Sequence, residues 1–309
     1  MNITNKIIGE AEKVIIGKEN VIKNCIEAML AGGHILFEDV PGVGKTTLSL
    51  AISKIFGQDF KRVQFTPDTM PSDILGFSYF DKNDKKLKFQ QGAIMTNILL
   101  ADEINRTSPK TQSALLEAME EKQISVDGNT YKLPSPFTVI ATQNPTGSAG
   151  TQVLPNSQLD RFMIRLKMGY PDFKQQIEIL KTNKYENKVD DIKRIVDDET
   201  YLSLQKQIEN IFISDEVYEY ITKLVEATRN NENIELGVSP RGAIAICKMA
   251  KAHAFLNERD FVIPTDVAEI FEITCAHRII LNSNAKFSSV SDTQVINSIL
   301  SEIEMPKIS

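Results

Sequence analysis

Cysteine is scarce in this chain. Three occur in 309 residues, Cys25, Cys247 and Cys275, and no two of them form a C-x-x-C pair. That excludes a disulfide framework and a cysteine-held zinc site, and it fits a reducing cytosol. Histidine is as sparse: His34, His253 and His277 show no metal-ligand spacing. Basic charge is in deficit too. Lys and Arg total 35 against 41 Asp and Glu, giving a net charge of −6 and a pI of about 5.3. A body built to grip nucleic acid carries the opposite balance. No apolar run reaches the roughly 20 residues that span a bilayer, and the N-terminus lacks the charged-then-apolar pattern of a secretion signal. Internal repeats and low-complexity segments are also missing. What is left is 42% hydrophobic and 25% charged, the composition of a soluble globular protein with length enough for two domains. A cytoplasmic location is expected.

The chain is organised around Glu38–Thr47, E-D-V-P-G-V-G-K-T-T. Apolar Ile35–Phe37 leads in, and a helical pattern from Leu48 to Phe56, closed by Gly57, leads out. Strand, Gly-rich turn and helix together bind a phosphate chain. The glycines let backbone N–H groups close around phosphate oxygens, and the helix directs its positive end at them. Asp39, Pro41, Gly42, Val43, Gly44, Lys45, Thr46 and Thr47 are therefore candidate nucleotide contacts. Lys45 is placed to reach the β- and γ-phosphates, and Thr46 to hold Mg²⁺ through its hydroxyl. The strict pattern G-x-x-x-x-G-K-[ST] wants glycine five residues before Gly44, and Asp39 stands there. Gly17, in the apolar linker Ile15–Gly17 between helical patterns at 3–13 and 18–30, is a further candidate contact.

Beyond this loop the texture is alternating α/β up to about residue 170. Lys61–Phe65 alternates as a strand. Thr66–Thr96 is too long for a plain connection, so it reads as a functional insert, with Ile74–Phe80 and Lys85–Phe89 pairing around Asp81–Asp84. Asn97–Ala101 and Phe137–Thr142 are continuous apolar runs, as buried parallel strands are. Ser108 caps a helix through Glu121, with Pro109 in its first turn. Gln123–Val126 and Thr130–Leu133 flank Asp127-Gly128-Asn129 as a hairpin. Phe162–Met168 is the last expected strand. From Asp172 onward helices are expected at 172–181, 201–211, 214–229, 240–257, 264–281 and 294–304. The reading is two domains, an α/β nucleotide-binding domain over 1–170 and an all-helical domain over 171–309.

Asp102-Glu103 adds chemistry to the phosphate cradle. These carboxylates end a strand beside strand one, where ligands bind in open α/β sheets. Asp102 would orient Mg²⁺, which keeps its waters and needs few carboxylates. Glu103 would activate the attacking water as general base. Asn144 ends the next buried strand and can hydrogen-bond the water or the γ-phosphate, although Asn-Pro is also ordinary turn chemistry. Phosphoryl transfer needs further cations. Arg161 at the start of a strand and Arg241 in the first turn of a helix are candidates; by position alone each also reads as a surface ion pair.

The order of these signals resembles an AAA+ ATPase, and within that class the MoxR family. The matching stretches are Glu38–Thr46, Ile98–Arg106 as I-L-L-A-D-E-I-N-R, Ala141–Pro145 as A-T-Q-N-P, Gln158–Phe162 as Q-L-D-R-F, and Ser239–Arg241. Phe65–Asp68 with Pro71–Asp73, and Leu115–Glu121 with Val126–Gly128, match as well. The resemblance implies an αβα domain with a five-strand, mostly parallel sheet, followed by a helical lid. It implies ATP and Mg²⁺ at the subunit interfaces of a ring, commonly a hexamer. Arg161 then becomes a finger to the neighbour's γ-phosphate and Arg241 the lid arginine that senses nucleotide. It also implies that the insert 66–96 and the hairpin 123–133 face the pore or a partner. Chaperone-like remodelling of protein clients follows, with a von Willebrand factor A-domain protein as candidate partner and no direct contact with nucleic acid.

Two other functions stay open on sequence alone. A nucleic-acid-associated AAA+ motor could use Lys82, Lys85, Lys86 and Lys88 at the tip of the insert, against the acidic balance of the whole. A small-molecule P-loop kinase shares Gly-Lys-Thr and a lid, but has no need of Asp-Glu after the buried strand.

Overall fold

The computed structural model describes residues 3–40, 42–144, 152, 154–182 and 189–307. Its centre is a sheet built from the apolar runs. β5 (Ile98–Asp102) and β8 (Thr138–Gln143) are buried along their whole length. A strand with no polar alternation has no face to offer water, so it belongs in the interior of a parallel sheet. β8 pairs in parallel with β1 (Ile35–Glu38) on one side and with β5 on the other. β5 pairs in parallel with β2 (Phe60–Gln64). β2 has no buried position and is largely exposed, as an edge strand can be. With β9 (Ile164–Leu166) the order is β2-β5-β8-β1-β9, five strands as expected. The registers bring Glu38 opposite Gln143 and Gln64 opposite Asp102, so β1, β2, β5 and β8 end in one row.

Helices flank the sheet. α1 (Ile3–Glu12) and α2 (Glu19–Leu30) precede it. α3 (Lys45–Ile55) follows β1 and buries Leu48, Ala51, Ile52 and Ile55. Leu48, Ile52 and Ile55 each contribute about 1.5–3 kcal/mol of transfer free energy. Gly57 follows the helix with φ +59°, its N–H donating to the Lys54 carbonyl, a left-handed terminator as the sequence indicates. The insert differs in detail from its expectation. Ile74 lies not in a strand but in a short helix α4 (Pro71–Leu75), where it is fully buried. Pro71 fits the first turn, and Asp73 accepts a hydrogen bond from the Met70 N–H at 2.8 Å. The hairpin then runs as β3 (Gly76–Asp81) and β4 (Lys86–Gln91). α5 (Pro109–Glu121), capped by Ser108, leads to β6 (Gln123–Val126) and β7 (Asn129–Lys132). Asp127 and Gly128 both have positive φ, the geometry of a tight hairpin turn.

The C-terminal part contains α6 (Asn156–Leu159), α7 (Phe173–Thr182), α8 (Asp198–Glu209), α9 (Asp215–Asn230), α10 (Pro240–Leu256), α11 (Pro264–Cys275), α12 (Ser283–Phe287) and α13 (Asp292–Glu302). It is not all helix. β10 (Ile234–Leu236) pairs antiparallel with β11 (Ile280–Leu281), and α11 therefore stops at Cys275 instead of reaching Leu281. Both strands are too short to leave an alternating signature. No helix among the described residues is long and apolar enough to cross a membrane.

Packing divides the chain into two units, but not at one cut near residue 170. One unit holds residues 1–25, 34–154 and 166–202; the other holds 26–33, 155–165 and 203–309. The second unit claims the end of α2 because Glu27 is fully buried beside His253, and because Gln205 donates to the Met29 carbonyl. Such long-range partners cannot be read from local periodicity.

Candidate active site

The loop after β1 turns through two left-handed glycines. Gly42 has φ +82°, and Gly44, the N-cap of α3, has φ +96°. Only glycine takes these angles without strain. Val43, Thr46 and Thr47 are half-buried, Gly42 is exposed, and Pro41 lies outside the described residues. Thr46 and Thr47 stand on the first turn of α3, whose leading N–H groups have no partner within the helix. Lys45 is buried and donates to the Asp39 carbonyl at 3.0 Å. Burial lowers its pKa, while Asp39, Asp102 and Glu103 act in the opposite sense. Three acidic residues, from the loop and from the end of β5, thus favour the charged form of one ammonium.

Asp39 has its own work. Its Oδ2 accepts from the Gly169 N–H at 2.7 Å, and its Oδ1 from the Val40 N–H at 2.8 Å. The residue that replaces the first glycine of the strict pattern therefore ties the phosphate loop to the segment after β9 with its side chain. Its backbone carbonyl, not its carboxylate, faces Lys45. Gly17 lies along the same side. It has φ +68°, and its carbonyl accepts from Gln175 Nε2 at 3.2 Å. A side chain on Gly44 would come within 3.6 Å of Met168 and 4.0 Å of Ile15. The linker containing Gly17 and the Met168–Gln175 segment thus flank the loop.

Asp102 and Glu103 follow β5 directly. Thr142 on β8 binds both of them. Its hydroxyl donates to Asp102 Oδ1 at 3.1 Å and accepts from the Glu103 N–H at 2.8 Å. Arg62 on β2 donates to the other oxygen of Asp102 at 2.7 Å. Glu103 itself is left-handed, with φ +56°, an unfavourable conformation for a side-chain-bearing residue. Its carboxylate meets the Asn144 side chain. Arg106 donates to Glu103 Oε2 at 2.9 Å and holds the carboxyl below its ordinary range; burial opposes this, and hydrogen bonds from Asn144 and Gln64 support it. Asn105 fixes Asn144 from both sides, donating to its carbonyl at 3.1 Å and accepting from its N–H at 3.3 Å. The Glu103–Arg106 pair is substantially exposed, and pairs of that kind are worth about 0–1 kcal/mol. It orients the base without locking it.

So the structure brings Lys45, Asp102, Glu103 and Asn144 near one another. Arg161 and Arg241 both belong to the second unit. Arg161 is half-buried after α6, and Arg241 is exposed in the first turn of α10. Thr142, Arg62 and Arg106 were not expected. Arg106 and Thr142 lie inside the I-L-L-A-D-E-I-N-R and A-T-Q-N-P stretches, whereas Arg62 left no sequence trace. The donors offered to a metal are oxygens, the Thr46 hydroxyl and the Asp102 carboxylate, and this set fits Mg²⁺ accompanied by phosphate oxygens and water. Among the described residues no group of three or more His, Cys, Asp and Glu could hold a metal by itself.

Comparison with known proteins agrees with this chemistry. The family described as "ATPase family associated with various cellular activities (AAA)" matches residues 34–164, and the AAA lid domain matches 226–299. The uncharacterized protein YeaC of Bacillus subtilis is 44% identical over 98% of this chain and 95% of its own length. The chaperone MoxR1 of Mycobacterium tuberculosis is 35% identical over 98% of this chain and 82% of its own. A crystal structure of a protein from Cytophaga hutchinsonii superposes with a TM-score of 0.91 at 37% identity, covering 99% of this chain and 96% of that one. A phosphate loop on an αβα sheet, an Asp-Glu pair beside its lysine and a helical lid, in a chain this similar to MoxR1, place the protein in the MoxR family of AAA+ ATPases.

Proposed function

We propose that the protein hydrolyses Mg-ATP at the subunit interfaces of a homo-oligomeric ring, most simply a hexamer, and uses the cycle to remodel protein clients in the cytoplasm. The observation that carries the reading is the convergence of Lys45, Asp102, Glu103 and Asn144 at the ends of adjacent parallel strands. The loop Asp39–Thr47, Pro41 included, holds the phosphates, with Gly17 as a further contact. Thr46 and Asp102 would hold the metal, which would supply positive charge to offset that on the phosphates. Glu103 accepts a proton as water attacks the γ-phosphorus. The bond to the β-γ bridging oxygen breaks, and phosphate and ADP leave. Asn144 positions the water through its side-chain amide. Arg241 contacts the γ-phosphate from the lid of its own subunit, and Arg161 reaches it from the neighbouring subunit. A finger of that kind is worth about 10³–10⁵ in rate.

The chaperone name of MoxR1 supports protein remodelling, with a von Willebrand factor A-domain protein as candidate partner. The insert 66–96 and the hairpin 123–133 are the surfaces proposed to meet client or partner. They are joined by stacking of Phe89 on Tyr131, with ring centroids 4.0 Å apart. Direct work on nucleic acid is not favoured by a net charge of −6. The deciding experiment is Glu103→Gln. The variant should bind ATP within about threefold of the parent and lose turnover by about 10²-fold or more, the scale of a general base. Unchanged phosphate release would remove Glu103 from the mechanism.

A further inference from the structure

Arg278 has no place in the chemistry above, yet it is among the most heavily bonded side chains of the second unit. It lies in the turn after α11, with its guanidinium almost wholly buried. Burying a guanidinium is costly unless every donor is used. Here the donors converge on one short segment. Nε donates to Asp160 Oδ1 at 2.9 Å. One terminal nitrogen donates to the Phe162 carbonyl at 2.6 Å and the Asp160 carbonyl at 3.3 Å. The other donates to the Met163 carbonyl at 3.0 Å and to the Thr274 carbonyl. Asp160 and Phe162 are the two neighbours of Arg161. Their carbonyls are gripped from behind, so the backbone that carries Arg161 is fixed on both sides.

The same guanidinium governs the second arginine. The other oxygen of Asp160 accepts from Ser239 Oγ at 2.9 Å, and Ser239 Oγ caps α10 by accepting from the Gly242 N–H at 3.0 Å. Arg241 lies between those two residues. A side chain on Gly242 would stand 2.8 Å from Arg278 Cδ, so the first turn of α10 presses directly on the Arg278 stem. Ser239 and Gly242 thus hold the turn that presents Arg241 against the pair that pins Arg161.

We propose that Arg278, paired with Asp160, is a positioning residue that sets Arg161 and Arg241 on one rigid mount, so that finger and sensor move as a unit. This rests on the reading of Arg161 and Arg241 as γ-phosphate ligands. Arg278→Lys would keep the charge and lose the planar fork that spans four carbonyls. Displacing a catalytic group by about 1 Å costs on the order of 10²-fold.

The test is a double-mutant cycle on the full-length assembled protein, using Arg278→Lys, Arg161→Ala and their combination. Arg278→Lys should lower kcat by about 10–100-fold with the KM for ATP little changed. In the Arg161→Ala background it should lower kcat by much less than in the parent, the remainder being the part that acts through Arg241. In a Glu103→Gln background, which binds without turning over, it should reduce the preference for ATP over ADP, the readout of Arg241. Asp160→Asn, which keeps side-chain shape and leaves Arg278 in place, should show the same pattern more weakly and covers the case in which Arg278→Lys does not fold. Losses that multiply in the Arg161→Ala background would mean a general structural role and would overturn the inference alone. Full activity of Arg161→Ala itself would instead overturn the finger reading, and this inference with it.

Discussion

His34 stands immediately before β1, buried, with the Val139 N–H donating to its Nδ1 at 3.0 Å and the Met119 carbonyl 3.2 Å from its Nε2. A backbone N–H can only donate, so Nδ1 is the acceptor and the proton sits on Nε2. A second proton would oppose Val139 and bury a charge. Burial accordingly pushes the pKa of His34 down to about 4. The neutral form is the one the fold needs. Stability from this site is complete above the unfolded value of about 6.5 and is lost as pH falls toward 4. Within that window the unfolded chain binds one more proton, a slope of about 1.4 kcal/mol per pH unit. His34→Gln, which can still accept and donate, should lose stability less steeply than the parent between pH 6.5 and 4.5, measured as urea midpoints. Parallel curves for the two proteins would show that His34 does not carry the effect. Single residues were unevenly legible. Lys45 and Glu103 announce themselves because a motif fixes their neighbours. Thr142 and Arg62 do not, since each meets Asp102 across a strand pairing that brings together residues 40 apart.

At the scale of elements, the insert has a base made of glycine. A side chain on Gly92 would stand 2.2 Å from the Ile74 carbonyl and 2.4 Å from the Gly76 nitrogen. A side chain on Gly76, which has φ +100°, would stand 2.3 Å from the Gln90 carbonyl. These are backbone atoms that no rotamer change can move aside. Gly92→Ala should therefore part the base of the β3–β4 hairpin, at about 1–3 kcal/mol for overpacking of this kind. Limited proteolysis should cut within residues 76–91 faster in the variant, while ATP turnover, which depends on the phosphate loop, changes little. Equal protection in both proteins would rule out the glycine base as a constraint. The hairpin was legible from its alternation, but α4 was not. Five residues are too few for a helical period to emerge, and Ile74 next to Leu75 reads equally as the start of a strand. β10 and β11 escaped for the same reason, with three and two residues. Long apolar runs and caps made β5, β8, α5 and α10 readable. Interleaving of the two units was not, because it depends on which distant surfaces Glu27 and Met29 find.

The whole molecule presents a division of labour that bears on assembly. Lys45, Asp102, Glu103 and Asn144 converge within one packing unit, while Arg161 and Arg241 belong to the other. If Arg161 serves the neighbouring subunit, no isolated chain has a complete set of cations for the γ-phosphate. Turnover per subunit must then depend on how much of the protein is assembled. At concentrations below the assembly constant, activity per subunit should climb as protein is added, and it should level off when every interface is occupied. The ratio of plateau to dilute limit should approach the worth of a finger, about 10³-fold or more. Arg161→Ala should assemble over the same range, seen by sedimentation, and stay near the dilute limit throughout. A small-molecule kinase built on the same loop would behave differently, with per-subunit rate flat from dilute to concentrated protein and phosphate passed to an acceptor other than water. A flat rate across the range in which sedimentation records assembly would therefore reject the shared site, while leaving the phosphate loop and Glu103 in place.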